Sequence, residues 1–264
     1  MKNLSTMSSS QLKDIKFILT DIDDTLTSDG ILKSNAYEAM ERLSNNGYKV
    51  IPVTGRCAGW CDHIARMWPV DGVVGENGAF FFSYDHVKKK MNNFYSQTED
   101  ERRENFIVLN QIKNTILESV PGTAEASDQH YRITDLAIDF AEDVPKLPQD
   151  KIDEIVQIAE QKGAVAKISS IHVNCWIGSH NKLSTSLKIL KESFGLNDAE
   201  IQNTAIFIGD SPNDSTMFGF FNNSVGVANV IDLINSIENP PKYITQNYSG
   251  NGFVELADLI INKN

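Results

Sequence analysis

Three aspartates stand directly after a short apolar run near the start of the chain. The run FIL at 17–19 is too brief for a helix and is followed by Asp21, Asp23 and Asp24. Carboxylates this close repel one another unless a cation lies among them, and Mg²⁺ prefers such oxygen ligands. The pattern predicts a buried strand that ends in a magnesium site. An exposed acidic turn is the alternative that these residues alone leave open.

Polar residues also follow two later strands of the predicted sheet. One predicted strand ends at Thr54, and another runs into Asp210 and Asp214. Helices alternate with these strands, which predicts a right-handed parallel sheet. Because ligands bind beyond the carboxyl ends of such strands, we expect these side chains to converge with Asp21 on one crevice.

A lysine opens the helix that precedes the last of these strands. Positive charge at the start of a helix opposes the helix dipole, unless the lysine faces an anion, so Lys182 is either a phosphate ligand or a solvated surface residue. In the first case Lys182, Thr54 and backbone N–H groups would hold a phosphoryl group beside the metal. The chain has no P-loop, no zinc-type ligand set and no Ser/His/Asp arrangement, so a carboxylate nucleophile is the chemistry that remains.

The alternation of strands and helices is interrupted after residue 82. The interrupting segment is polar at its start, and its two predicted strands, 132–140 and 164–176, alternate apolar and polar residues. We therefore expect an α/β protein with a Rossmann-like core, a parallel sheet flanked by helices, formed by 1–82 and 178–264. An α+β domain is inserted between them at 83–177.

Composition excludes several classes of partner. The chain carries 24 Lys and Arg against 35 Asp and Glu, and this net charge of −11 argues against nucleic-acid and membrane partners. Three cysteines indicate a reducing compartment, and the spacing of Cys57, Cys61 and His63 is not that of a zinc site. No stretch has the length of a membrane span, and the start has no apolar signal segment. We expect a cytoplasmic protein with a frayed Ser-rich tip; the oligomeric state stays open.

The polar clusters together resemble the motifs of a known superfamily. DIDDT at 21–25 resembles the DxDxT signature of the haloacid dehalogenase (HAD) superfamily. Thr54 in VTGR, Lys182 and GDSPND at 209–214 are similar to its second, third and fourth motifs, in order. The long insert, the GDxxND form and GENGAF at 75–80 resemble subfamily IIB, the Cof-like and sucrose-phosphatase-like branch. The resemblance implies that the inserted domain is a cap of type two, subtype B.

The resemblance also implies catalytic roles. Asp21 would be the nucleophile that forms an aspartyl-phosphate, and Asp23 would protonate the leaving oxygen and then activate water. Thr54 and Lys182 would steady the phosphoryl oxygens. Asp23 favours a phosphatase, because dehalogenases of the superfamily need no acid/base at that position.

The metal site follows from the same resemblance. It implies that Mg²⁺ is held by Asp21, by the backbone carbonyl of Asp23 and by Asp210. Asp214 would lie close by, as a direct ligand or acting through water. Asp24 is expected to be structural, with its side chain turned away.

Substrate choice is expected to come from the cap and from the core residues opposite it. For Arg132 and His172, on predicted cap strands, internal or solvated pairing is the alternative. Trp60, Trp68 and Trp176 are expected to pack in the core or between domains. The candidate substrate contacts are Gly55, Arg56, Glu76, Asn77, Arg132, His172 and Asn213.

These features favour a Mg²⁺-dependent phosphomonoesterase that acts on a small phosphorylated metabolite, a sugar phosphate or phosphorylated sugar acid. A phosphomutase or phosphotransferase of the same fold is the near alternative. A phospho-Asp signalling module is the distant one, because receiver domains also place acidic residues, a Thr and a Lys around a phosphorylated Asp. Such a module needs neither Asp23 nor a long insert.

Overall fold

The fold is described from a computed structural model that covers residues 1–169 and 171–262. Ser170, which belongs to the predicted strand 164–176, and residues 263–264 of the predicted core lie outside the described residues. Within the described ranges, no helix is both long and apolar enough to cross a membrane.

Short strands and helices alternate through most of the chain. The strands are β1 (Lys2–Asn3), β2 (Phe17–Thr20), β3 (Thr27–Ser28), β4 (Ile31–Leu32), β5 (Lys49–Pro52), β6 (Val73–Gly75), β7 (Phe80–Asp85), β8 (Lys90–Tyr95), β9 (Ala124–Glu125), β10 (Asp135–Asp139), β11 (Val165–Ile168), β12 (His172–Trp176), β13 (Ala205–Gly209), β14 (Asn223–Gly226) and β15 (Tyr243–Ile244). The helices are α1 (Ser9–Asp14), α2 (Ser34–Asn45), α3 (Ala58–Met67), α4 (Glu99–Ser119), α5 (Gln149–Gln161), α6 (Lys182–Glu192), α7 (Asp198–Thr204), α8 (Ser215–Phe220) and α9 (Ser249–Asn262).

A parallel sheet with the strand order β1-β15-β14-β13-β2-β5 forms the centre of the core. Its central strands are continuous apolar runs because both faces are covered. Ile18 of β2 packs on one face with residues of α2 and α9, whereas Leu19 packs on the other face with Phe207 and residues of α6 and α8. The predicted α/β core with a helix-flanked parallel sheet is confirmed.

A three-stranded antiparallel sheet, β6-β7-β8, continues the core beyond β5. Val53 and Val74 form a parallel bridge, and the Thr54 N–H donates to the Val74 carbonyl at 2.9 Å. Phe82 of β7 and Tyr95 of β8 pack in the same apolar cluster as the parallel sheet. The division into domains stays a prediction, and we propose to move its first boundary from residue 83 to just after Tyr95.

The inserted segment forms its own layer of helices on a sheet. Its strands pair antiparallel in the order β11-β12-β10-β9, and α4 and α5 cover one face. Val173 and Cys175 of β12 point into a separate apolar cluster with these helices. Since side chains alternate along a strand, His172 and Asn174 point to the opposite face. Helices α4 and α5 with strands β9–β12 are called the cap below.

Two predicted features of the chain were wrong. The expected single strand 164–176 is an antiparallel hairpin of β11 and β12, because the chain reverses between Ile168 and His172. The expected frayed tip is ordered: Ser8 caps α1 in a capping box with Gln11, and β1 pairs with β15.

His180 lies in the segment that returns the chain from the cap to the core, and only 8% of it is exposed. Its ring stacks on Trp176 at a centroid distance of 5.8 Å, and its Nε2 atom has no hydrogen-bond partner among the described residues. Burial lowers the pKa of His180 from 6.5 to about 4.

This shift makes stability depend on pH. Because the pKa of His180 is lower in the folded than in the unfolded protein, neutral His180 stabilises the fold fully above about pH 6.5. This stabilisation is lost as the pH falls toward 4. Over this window, the free energy of unfolding of the wild type should fall by roughly 2–3 kcal/mol more than that of His180→Phe, which keeps a ring on Trp176. Urea unfolding at several pH values measures the difference, with exposed His86→Phe as the control. Parallel curves for wild type and His180→Phe would contradict the expectation.

Candidate active site

Lys182 joins two carboxylates that come from different strand ends. Its Nζ atom lies 2.8 Å from Oδ1 of Asp21, directly after β2, and 2.8 Å from Oδ1 of Asp214, in the turn after β13. All three side chains are buried. Asp21 continues the strand pairing, with its N–H donating to the Ile208 carbonyl at 2.9 Å. The sheet and the start of α6 therefore bring together residues that lie 161 positions apart in the chain.

Three aspartates offer oxygen atoms at one point beside Lys182. One carboxylate oxygen from each of Asp21, Asp210 and Asp214 lies within 4.8 Å of the others. Thr25 donates from Oγ1 to Oδ1 of Asp210 at 3.1 Å. Such a set of hard oxygen donors fits Mg²⁺.

Asp214 differs from the other two aspartates in its hydrogen bonds. Its Oδ1 atom accepts from Lys182, and its Oδ2 atom accepts from the Asp210 N–H at 3.1 Å. Both oxygens therefore have protein donors. We propose that Asp21 and Asp210 are the metal ligands and that Asp214 orients Lys182 and the turn.

Burial and mutual repulsion dominate the electrostatics of this cluster. Burial, with Asp214 and Asp23 nearby, raises the pKa of Asp21 to about 7, although Lys182 opposes the shift. Burial and the charge of Asp21 raise the pKa of Asp210 well above its usual range. Burial works against the charged form of Lys182, but its two carboxylate partners outweigh it and raise its pKa. A divalent cation at this point would relieve the remaining repulsion.

Thr54 and Gly55 form the turn that follows β5. Thr54 is fully buried, and its Oγ1 atom accepts the Arg56 N–H at 3.0 Å. Gly55 faces the site, and a Cβ atom there would lie 3.2 Å from the Asn77 amide. The backbone thus passes close to Asn77, and the contact of Thr54 with a phosphoryl group stays a prediction.

Arg56 binds the expected acid/base Asp23. Its Nε atom lies 3.1 Å from both Oδ1 and Oδ2 of Asp23, and its Nη2 atom lies 2.9 Å from Oδ1. Its Nη1 atom donates to Glu142 of the cap at 3.0 Å. Trp60, which is 44% exposed and therefore not a core residue, lies beneath the guanidinium at 4.5 Å. Of the two predicted places for Trp60, the core is excluded, and packing between the domains stays a prediction.

A small cavity lies between the strand ends of the core and the cap sheet. Its volume is about 20 Å³. The predicted site residues that line it are Asp21, Asp23, Gly55, Arg56, Arg132, His172, Asp210 and Asn213. The unpredicted ones are Ser169, Ile171, Asn174 and Ser211. The core and cap candidates thus face the same space.

The guanidinium of Arg132 donates hydrogen bonds to groups inside the protein. It pairs with Asp128 at 2.9 Å and with Asp135 at 3.0 Å, and its Nη1 atom also donates to the Gly55 carbonyl at 3.0 Å. Its side chain is 1% exposed. Arg132 therefore joins the cap to the turn after β5, and its contact with substrate stays a prediction.

Glu76 and Asn77 lie behind the cavity wall and do not line it. The Glu76 carboxylate is fully buried and accepts the N–H groups of Ala58 at 3.0 Å, Ile133 at 3.0 Å and Thr134 at 2.7 Å. These bonds tie the core turn to the segment that leads into β10. Substrate contact by Glu76 or Asn77 also stays a prediction.

Asn213 sits where the core turn meets Lys182. Its Oδ1 atom accepts from Ser211 Oγ at 2.8 Å and lies 3.4 Å from Lys182 Nζ. Asn174, which was not predicted, could have been found by its two-residue spacing from His172 on one strand face. Glu142 carried no such signal, because it comes from a loop 86 positions after its partner Arg56.

A family model described as haloacid dehalogenase-like hydrolase matches residues 18–256. The chain belongs to this family of hydrolases. The superfamily expected from the four motifs is confirmed.

Three individual proteins extend this comparison. The chain is 26% identical over 252 residues to a phosphoglycolate phosphatase of Methanosarcina mazei, covering 93% of this chain and 96% of that protein. A Thermoplasma acidophilum structure matches with a TM-score of 0.70 at 19% identity, covering 94% of this chain and 98% of that one. A HAD subclass IIB sugar phosphatase matches with a TM-score of 0.62 at 14% identity, covering 94% and 100%. These two structures share the fold of this chain, and the expected subfamily IIB stays a prediction.

The donor set predicts how the metal site responds to substitution. Asp210→Asn removes a ligand charge, so we expect Mg²⁺ to bind about tenfold or more weakly. Isothermal titration calorimetry with Mg²⁺ measures this directly, without turnover. Asp100→Asn on α4, whose side chain is 88% exposed, is the control and should bind as wild type does. Equal affinity in the Asp210 variant would remove Asp210 from the metal site.

Proposed function

We propose that this hydrolase is a Mg²⁺-dependent phosphomonoesterase that acts through an aspartyl-phosphate. The observation that carries the proposal is that Asp21, buried beside Lys182, lines one cavity together with Asp23. A carboxylate nucleophile needs neighbouring positive charge to approach an anionic phosphate, and Lys182 supplies it. A separate acid/base must reach the leaving oxygen, and Asp23 is the candidate on the same loop.

In the first step an Asp21 carboxylate oxygen attacks phosphorus, and the bond from phosphorus to the ester oxygen breaks. Asp23 gives its proton to that oxygen, which leaves as an alcohol. Lys182 holds Asp21 toward the cavity during the attack. Mg²⁺, when bound by Asp21 and Asp210, would neutralise charge on the phosphoryl oxygens.

In the second step a water oxygen attacks the phosphorus of the aspartyl-phosphate. Asp23 takes a proton from this water, the bond from phosphorus to the Asp21 oxygen breaks, and inorganic phosphate leaves. Asp21 returns as a carboxylate and Asp23 as an acid, so the cycle closes without another reactant.

The substrate we propose is a small phosphorylated metabolite. Little room lies between Asp21 and the cap, and Arg56 and His172 face it with polar nitrogen atoms. 2-Phosphoglycolate is the first compound to test, because a relative that aligns with this chain over almost its whole length is a phosphoglycolate phosphatase. Sugar phosphates and phosphorylated sugar acids are the second group, supported by the shared fold with a sugar phosphatase.

The nucleophile is tested by Asp21→Asn. The amide is a poor nucleophile, so we expect phosphate release from p-nitrophenyl phosphate in Mg²⁺ to fall on the order of 10³-fold or more. Asp29→Asn, at the exposed turn between β3 and β4, is the matched control and should keep wild-type turnover. Turnover retained by the Asp21 variant would exclude Asp21 as the nucleophile.

The product separates the proposed phosphatase from its alternatives. With each phosphorylated metabolite we expect many equivalents of inorganic phosphate per enzyme, since Asp23 can activate water. ³¹P NMR of the reaction mixture measures this. An isomeric or transferred phosphate ester would instead indicate a phosphomutase or phosphotransferase, and one stable equivalent of phospho-Asp would indicate a signalling module.

A further inference from the structure

A short turn at the end of β10 is held by one buried carboxylate. Asp139, which is 1% exposed, accepts the backbone N–H groups of Ala141 at 2.9 Å, Glu142 at 2.8 Å and Asp143 at 2.8 Å. Three hydrogen bonds to one carboxylate fix the backbone of the turn. These bonds therefore fix the point of the backbone from which the Glu142 side chain extends.

The Glu142 carboxylate lies between two cavity-lining residues. Its Oε1 atom accepts from Arg56 Nη1 at 3.0 Å, and its Oε2 atom lies 2.9 Å from His172 Nε2. The contact with His172, together with Arg56, lowers the pKa of Glu142 to about 2 against the effect of burial. Glu142 is therefore an anion at any pH at which the enzyme would work.

Arg56 binds a core carboxylate with one side of its guanidinium and a cap carboxylate with the other. Asp23 takes Nε and Nη2, and Glu142 takes Nη1. The guanidinium is planar, so the pair with Asp23 on one side and the bond to Glu142 on the other together define its orientation between core and cap. Only 6% of the Arg56 side chain is exposed, which leaves water little part in holding it.

Glu142 acts from outside the cavity. Within the described ranges it is not among the residues that line the cavity, whereas Arg56 and His172 are. The cavity lies between the core and the cap, so movement of the cap away from the core would open it. The Arg56–Glu142 pair joins core and cap, and it can form only when they close together.

We propose that Glu142 is a positioning residue: on closure it fixes the Arg56 guanidinium, and through it the Asp23 carboxylate, in the orientation that serves the leaving oxygen. The inference rests on the function proposed above. It assigns to a cap residue the alignment of the acid/base, so that this alignment is complete only in the closed, water-excluding arrangement.

The test compares two leaving groups in Glu142→Gln, which keeps the shape of the side chain and removes its charge. The nitrophenolate of p-nitrophenyl phosphate departs with little help from an acid, whereas the phenolate of phenyl phosphate is more basic and needs the proton. Single-turnover release of each phenol in Mg²⁺, with enzyme in excess, isolates the first chemical step. Glu154→Gln, which removes a paired carboxylate of α5 from Lys151 at 2.8 Å, is the matched control.

We expect Glu142→Gln to slow the release of phenol by about tenfold or more, because a misplaced acid loses much of its contribution. Release of nitrophenol should change by less than about threefold, since it depends little on the acid. Glu154→Gln should match wild type with both esters.

Arg56→Lys supplies a second variant that keeps the charge but not the planar fork. It should show the same preference for the better leaving group, and the double variant Arg56→Lys/Glu142→Gln should be no worse than the poorer single variant. Should Glu142→Gln fail to fold, Glu142→Asp, which is too short to reach both partners, takes its place in the comparison.

Equal losses with both esters in an active enzyme would overturn the inference and leave the proposed function standing, because they would indicate a general loss of packing. No loss with either ester would overturn it as well. A wild-type protein that cleaved neither ester would overturn the proposed function and, with it, this inference.

Discussion

The site depends on one buried cation held between two buried carboxylates. Lys182 Nζ lies 2.8 Å from both Asp21 and Asp214, and each of the three residues is at most 4% exposed. Burying one of these charges without a partner would raise the free energy of the folded protein, so each residue requires the others. The cluster therefore fixes the relation between the end of β2, the turn after β13 and the start of α6.

The backbone around this cluster is shaped to let α6 come close. Gly78 has a φ of +105°, and a Cβ atom there would clash with the carbonyl of Asn181, the N-cap residue of α6. Thr185 of α6 donates to the Gly78 carbonyl at 2.5 Å. A glycine at this point permits the contact that places Lys182 over the strand ends.

The cap is joined to the core through charged residues, two of which line the cavity. Glu76 accepts hydrogen bonds from the chain leading into β10, Arg132 donates to the Gly55 carbonyl, and Arg56 pairs with Glu142. In each of these contacts, a charged side chain on one side binds a group on the other side of the boundary between core and cap. Arg56 and Arg132 also line the cavity, so two of these contacts between core and cap lie directly beside the site.

The sequence by itself determined the alternation of strands and helices in the parallel core, the aspartates and threonine after its strands and the lysine that opens α6, because buried runs and polar stops are local patterns. It missed that 164–176 is a hairpin, since one alternating run does not reveal where a chain reverses. Only the tertiary structure decided how the two arginines are paired: Arg132 binds Asp128 and Asp135, whereas Arg56 binds both Asp23 and Glu142. Such pairings join distant segments, and no spacing along the chain encodes them.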